Sequence, residues 1–154
     1  MKNILLCLLV ATTPAFARLG ENPTELVARY GQPLSEADQK RMGEKIALAN
    51  VSFQKGGFQI DVVITNGLSV QEHYHKLNGQ PINEDEVAAL MTANAEGRTW
   101  LQPKVINGSR VWTRDDGATA TFEGDGSLTV RLPALNAEEA KAKHLEQKPS
   151  VEGF

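Results

Sequence analysis

From Ala49 to Lys76 apolar residues alternate with polar ones, and the alternation breaks at Gly56-Gly57 and again at Asn66-Gly67. A period of two punctuated by glycine predicts three antiparallel strands. A two-residue turn at Gly56-Gly57 sets Phe53 against Ile60, Val51 against Val62 and Ala49 against Ile64, so these side chains share one face. At the second break a two-residue turn would set Ile64 against Ser69 and Ile60 against His73, which mixes the faces. A three-residue loop of Thr65, Asn66 and Gly67 fits the pattern better. It sets Ile64 against Leu68, Val62 against Val70 and Phe58 against Tyr74, with Gly67 free to take positive φ. Its cost is Glu72 beside Ile60, near the sheet edge. A sheet with one apolar and one polar face predicts helices packed on the apolar side.

Helix signals flank this sheet. Before it, Asn22 reads as an N-cap, Pro23 as the first helical residue and Glu25 as the third, with Gly31 and Pro33 ending the helix and Leu26, Val27 and Tyr30 forming its apolar stripe. The stretch from Ser35 to Lys45 is polar and without sustained period, which predicts a loop with a single helical turn at most. After the sheet, Asn83 caps a second helix with Glu86 at its third position. Val87, Leu90, Met91 and Asn94 form the i, i+3, i+4, i+7 stripe, and Gly97 is the stop. Trp100, just beyond, is expected to plug the gap between helix and sheet.

The second half repeats this plan. Lys104 to Ile106, an Asn107-Gly108 turn, Arg110 to Arg114, a break at Asp116-Gly117, Ala118 to Glu123, a break at Gly124 to Gly126, and Leu128 to Leu132 predict up to four strands. A three-residue loop at Gly124 to Gly126 sets Phe122 against Leu128, Ala120 against Val130 and Ala118 against Leu132. Trp112 joins that face if the preceding loop also has three residues. After Pro133, Asn136 and Glu139 open a third helix, which Pro149 ends. The expected fold is therefore α+β: an antiparallel sheet built from tandem helix-plus-three-strand repeats, at about residues 20–80 and 83–133, with helices packed on one face. Residues 18–145 form one domain, and 146–154 are expected to be a flexible tail.

Composition adds a compartment. Met1 to Ala17 combines Lys2, an apolar run from Ile4 to Val10 and the small-x-small triplet Ala15-Phe16-Ala17, which reads as a secretory signal peptide cleaved near Ala17. No apolar run approaches the roughly 20 residues of a membrane span, so the mature chain is expected to be soluble, periplasmic or secreted. The single cysteine, Cys7, lies inside the leader's apolar run and is not placed as a lipidation site. The mature chain then has no thiol, which excludes disulfides, thiol catalysis and thiolate metal sites. A net charge of −3 without a basic cluster argues against nucleic acid as a partner.

Two resemblances bear on fold. The run from Gly20 to Pro33, with Gly20, a helix carrying Leu26, then Gly31-Gln32-Pro33, resembles the N-terminal motif of the SmpA/OmlA (BamE-like) outer-membrane lipoproteins. That family carries a lipobox, absent here, and assists β-barrel assembly, so the resemblance implies the local fold and not the activity. The element order is similar to that of the β-lactamase-inhibitor-protein group, in which helical segments cover one face of a sheet made from tandem repeats. The resemblance implies that the chain binds another protein.

Candidate chemistry is sparse. His73 and His75, two residues apart on one strand, project from the polar face, and the expected register sets Asp61 diagonally across from His73. Two imidazoles and a carboxylate could hold zinc or copper, but no third ligand stands at motif spacing. Solvent-facing filler is the simpler account. Ser69 and Ser109 lack a nucleophile-elbow context, His144 is on a predicted surface helix, and Glu84-Asp85-Glu86 reads as an acidic first turn favoured by the helix dipole. No phosphate-binding glycine loop opens a helix after a strand. The sequence thus predicts no enzyme and no cofactor, but an exported protein-binding module whose partner is another envelope or secreted protein. The alternative is a metal-binding protein using His73, His75 and Asp61.

Overall fold

Asparagine followed three residues later by glutamate opens two helices in the computed structural model, which describes residues 19–44 and 48–133. In α1 (Pro23–Tyr30) the Asn22 side chain accepts from the amides of Thr24 (2.9 Å) and Glu25 (3.1 Å), while Glu25 accepts from Asn22 N (2.9 Å). Asn83 and Glu86 make the same reciprocal pair, at 2.9 and 2.8 Å, at the start of the helix Glu84–Ala93. Each box satisfies amides that the first turn leaves without partners. That second helix ends earlier than Gly97, because Asn94 becomes its C-cap.

The polar stretch expected to be a loop is instead a helix, α2 (Glu36–Gly43), which makes the helix Glu84–Ala93 α3. Ser35 caps α2 by accepting from Asp38 N (3.1 Å), acidic residues occupy its first turn, and Lys40 and Arg41 occupy its last. Caps and dipole pairing support a short helix whose apolar period is too weak to announce it. The leader, the helix expected from Asn136 and the tail at 146–154 lie outside the described residues.

The strands are β1 (Leu48–Lys55), β2 (Phe58–Thr65), β3 (Leu68–Lys76), β4 (Lys104–Ile106), β5 (Ser109–Thr113), β6 (Thr119–Phe122) and β7 (Leu128–Arg131). They form one seven-stranded antiparallel sheet in the order β1-β2-β3-β7-β6-β5-β4, and with the three helices the class is α+β. The first hairpin has the expected register, Phe53 opposite Ile60 and Val51 opposite Val62. So does the last, with Phe122 opposite Leu128 and Ala120 opposite Val130, and Trp112 lies opposite Ala120.

The β2–β3 connection differs from expectation. Its turn has two residues, Asn66 and Gly67, with Thr65 opposite Leu68 and Ile64 opposite Ser69. A bulge between Val63 and Ile64 then shifts the ladder, so that Gln71 faces Val63 and Val62 faces Glu72 rather than Val70. The extra residue repairs the face-mixing that a two-residue turn would cause. The bulge is held from outside the hairpin: Gly20 N donates to Ser69 O (2.7 Å), Ser69 N to Glu21 O (2.8 Å), and Leu132 N to Val70 O (2.9 Å). Because the ladder is displaced by two residues, the faces of Glu72 and Tyr74 are unchanged. Glu72 is nevertheless not beside Ile60 near an edge. It stands on a central strand between Val62 and Val130.

One face of the sheet is apolar. A row of Val51, Val62, Glu72, Val130, Ala120 and Trp112 runs beside a row of Phe53, Ile60, Tyr74, Leu128 and Phe122. Leu26 and Tyr30 of α1 and Val87 and Met91 of α3 join these strand residues in one buried cluster. The β6–β7 loop is pinned under it. Gly126 has φ +82°, accepts from Ile82 N (2.9 Å), and a Cβ built there would lie 2.3 Å from Pro81 Cβ and 2.6 Å from Pro81 Cα. Gly126→Ala is therefore expected to cost about 1–3 kcal/mol through overpacking and strained φ. Gly124→Ala, with nothing within 4 Å of its Cβ position, should cost clearly less in the same denaturant titration.

Candidate functional site

Three places carry polar or exposed groups beyond what the fold needs. The first is the polar face of the sheet. Registers place Ser52, Asp61, His73, Thr129, Thr121, Val111 and Lys104 in one row across all seven strands. Asp61 is directly opposite His73, not diagonal to it as expected. Its carboxylate accepts from Ser52 Oγ (2.6 Å) and Gln59 Nε2 (3.0 Å) and lies 3.9 Å from His75 Nδ1. His73 Nδ1 meets Thr129 Oγ1 at 2.9 Å, and the two imidazole centroids are 5.7 Å apart. Both rings are half-buried, with their near nitrogens turned to different neighbours. Among the described residues no group of three or more His, Cys, Asp or Glu is placed to hold a metal ion. Zinc is accordingly expected to leave the melting temperature unchanged, and the double change His73→Ala, His75→Ala to shift stability by less than about 1 kcal/mol. A bound zinc at about 100 times its dissociation constant would instead add about 2.7 kcal/mol, lost in the double variant.

The second place is buried. Glu72 is 0% exposed in its valine row. Its Oε2 accepts from Tyr30 OH (3.2 Å) and from Tyr74 OH in a short bond, the two phenols lie 3.3 Å apart, and Asn94 Nδ2 donates to Tyr74 OH at 3.3 Å. Glu72 Oε1 and Asn94 Oδ1 are buried without a partner among the described residues. Loss of water raises the Glu72 carboxyl from 4.5 to about 7, against the lowering effect of the tyrosine hydrogen bonds. The same burial, with Glu72 beside them, raises both tyrosines. Glu21 and Arg29 form an ion pair nearby.

From Asn94 the network continues outward. Its backbone oxygen accepts from Arg114 Nη1 (2.5 Å), and the Arg114 side chain is 1% exposed. Arg114 also makes a bidentate pair with Asp116, at 2.8 Å on both contacts, and its guanidinium lies 5.6 Å from the Trp100 ring centroid. Those hydrogen bonds hold the Asp116 carboxyl down at about 2. Trp100 Nε1 donates to Met91 O (2.8 Å).

The third place is the β4 end of the sheet. Trp100 and Trp112, both tryptophans of the chain, line a groove of about 370 Å³ with Val87 and Met91 of α3 and with Leu101 and Pro103. Glu84, also in its lining, pairs with Arg110 in a bidentate contact at 2.7 and 3.0 Å, and the Arg110 guanidinium lies over the Trp112 and Phe122 rings (5.3 and 4.9 Å). Leu101 in the lining is 55% exposed, Val105 of β4, on the same face of the sheet as Arg110, is 75% exposed, and Ile106 on the opposite face of β4 is 51% exposed. The two edges of the sheet differ. At β1, Leu34 N donates to Ser52 O (2.9 Å) and Arg41 Nη1 reaches Asn50 O (3.5 Å), and α2 lies against the strand. At β4, among the described residues, only β5 pairs with the strand.

The remaining sequence candidates have local partners. Ser69 Oγ accepts from Glu21 N (3.0 Å) inside the bulge, and Ser109 Oγ donates to Glu123 (2.9 Å). Glu86 is held by Asn83 N and Lys76 Nζ, and Glu84 by Arg110; both carboxyls are lowered, by their hydrogen bonds first. His144 lies outside the described residues. The Glu72 cluster and the tryptophan groove are not among the sites that the sequence predicts. Glu72 on an apolar strand face was the visible signal for the first, and two tryptophans flanking one short strand for the second.

Comparison of the chain with protein-family models, with curated proteins and with solved structures finds no match. Among the described residues no helix is long and apolar enough to cross a membrane.

Proposed function

We propose that this is an exported, non-catalytic module that binds another envelope or secreted protein through its β4 edge. The observation that carries the reading is the asymmetry of the two edges. The chain's own Leu34 and Arg41 occupy backbone acceptors of β1, whereas β4 ends the sheet with Val105 exposed and an aromatic groove alongside. Exposed edges of this kind are templates for strand addition, in which main-chain hydrogen bonds give affinity and neighbouring pockets give specificity. Export rests on the leader-like residues 1–17, and an intact mass beginning at Arg18 without a lipid tests it.

The architecture supports the same reading as two related halves. α1 precedes β1-β2-β3, α3 precedes β5-β6-β7, and the third strand of each half meets the other at the centre of the sheet. On this reading the helices cover one face, as the shared cluster of Leu26, Tyr30, Val87 and Met91 with the strands suggests. The second half then differs by adding β4, and that addition is the binding element. A photoreactive residue at position 105, introduced in cells, is expected to give a discrete adduct with another protein, while the same residue at position 50 on β1 gives none. No adduct at 105, or equal adducts at both, would overturn the reading.

A further inference from the structure

Glu72 is a carboxyl group without access to water, set between valines on a central strand, and it is expensive to keep ionised there. The groups that face it come from several elements: Tyr30 with Arg29 behind it on α1, Glu21 ahead of α1, Tyr74 on β3, and the uncharged Asn94 at the end of α3. Val62 and Val130, its cross-strand neighbours, contribute no charge, and His73 and His75 of the same strand stand on the opposite face. Among the described residues, the cluster holds two buried acceptor atoms without donors, Glu72 Oε1 and Asn94 Oδ1. It is short of protons when Glu72 is ionised.

Asn94 is also the joint to the groove. Its side chain meets Tyr74, its backbone oxygen meets Arg114, and Arg114 lies against Trp100, a wall of the groove. The links from Glu72 through Tyr74, Asn94 and Arg114 to Trp100 form one contiguous chain of hydrogen bonds ending in a cation–π contact. We propose that Glu72 is a proton-operated control of the tryptophan groove, closed and dry around Tyr74 and Asn94 when the carboxyl is neutral and loosened at the Asn94 cap, Arg114 and Trp100 when it is ionised. The ionised carboxylate draws water toward the buried cluster, and the element it loosens is the short C-terminal cap of α3, which has fewer bonds to lose than the strands. This goes beyond the binding reading and does not require a partner, so the test below can fail while that reading stands.

In full-length protein carrying Trp112→Phe, Trp100 is the single remaining tryptophan. Its emission maximum and its quenching by acrylamide are followed from pH 5 to pH 9, with far-UV circular dichroism confirming that the chain stays folded. The expected result is a one-proton transition with a midpoint near pH 7, the emission moving to the red and the quenching rising toward alkaline pH. Adding Glu72→Gln should abolish the transition, and adding His73→Gln with His75→Gln should leave it in place. Tyr74→Phe keeps the carboxyl but cuts its link to Asn94, so it should remove the Trp100 response too, and it serves if the Glu72 variant does not fold. A flat profile in the parent, a transition that persists in Glu72→Gln or Tyr74→Phe, or one that disappears in the histidine variant would overturn the proposal.

Discussion

Phe53→Ala is expected to lower the unfolding free energy by about 3–5 kcal/mol, the range for a buried aromatic truncated in a core that cannot collapse around the cavity. Phe53 is fully buried, lies opposite Ile60, and packs its ring 5.4 Å from that of Tyr30 at a tilt of 44°. The variant therefore removes one contact between α1 and the first hairpin as well as the transfer free energy of the ring. Gln59→Ala, on the opposite face, loses one part-buried hydrogen bond to Asp61 and should cost less than about 1 kcal/mol. Denaturant titrations of both variants check this. Equal costs would mean that the two residues do not stand on the faces assigned to them.

The second large effect is on pH dependence. The Glu72 carboxyl is raised from 4.5 to about 7 in the folded chain, so the folded state holds its proton more tightly than the unfolded state does. The stability contributed by neutral Glu72 is fully present below about pH 4.5, declines as pH rises, and is lost once pH passes about 7. The span corresponds to about 3 kcal/mol. At the acid end the sign is reversed for Asp116, whose lowered carboxyl contributes stability that is lost as pH falls below 3.8 toward about 2. Glu72→Gln keeps an acceptor for the two tyrosines and removes the charge. Its stability relative to the parent should therefore rise by about 3 kcal/mol between pH 4.5 and pH 8, whatever the offset at acid pH. A constant difference across that range would show that Glu72 does not titrate as an isolated buried group.

What could be read from the chain followed from how local its causes are. The Gly56-Gly57 hairpin and the three-residue loop before Leu128 are decided by neighbours in sequence, and both registers agree with the structure. The asparagine–glutamate boxes are equally local. The bulge at Val70 is not, because the groups that hold it belong to Gly20, Glu21 and Leu132. Helix α2 is not legible in the sequence, since Asp38, which pairs with Arg41, supplies its buried position in place of an apolar stripe. Glu72 could be assigned to the apolar face from its alternation with Tyr74, but its phenol and amide partners arrive from α1 and from the end of α3. The order of strands, which leaves β4 outermost, depends on β3 and β7 pairing across a wide gap in the chain.

The unequal edges also bear on how copies of the chain could associate. Fibrous growth by stacking sheets side to side needs each molecule to offer two open rims, so that every addition exposes a new acceptor for the next. Here Leu34 and Arg41 block one rim from within the molecule. Two copies meeting through β4 would each turn outward a β1 rim on which Ser52 O and Asn50 O already have partners. Releasing both Leu34 from Ser52 and Arg41 from Asn50 would free those two acceptors for an incoming strand.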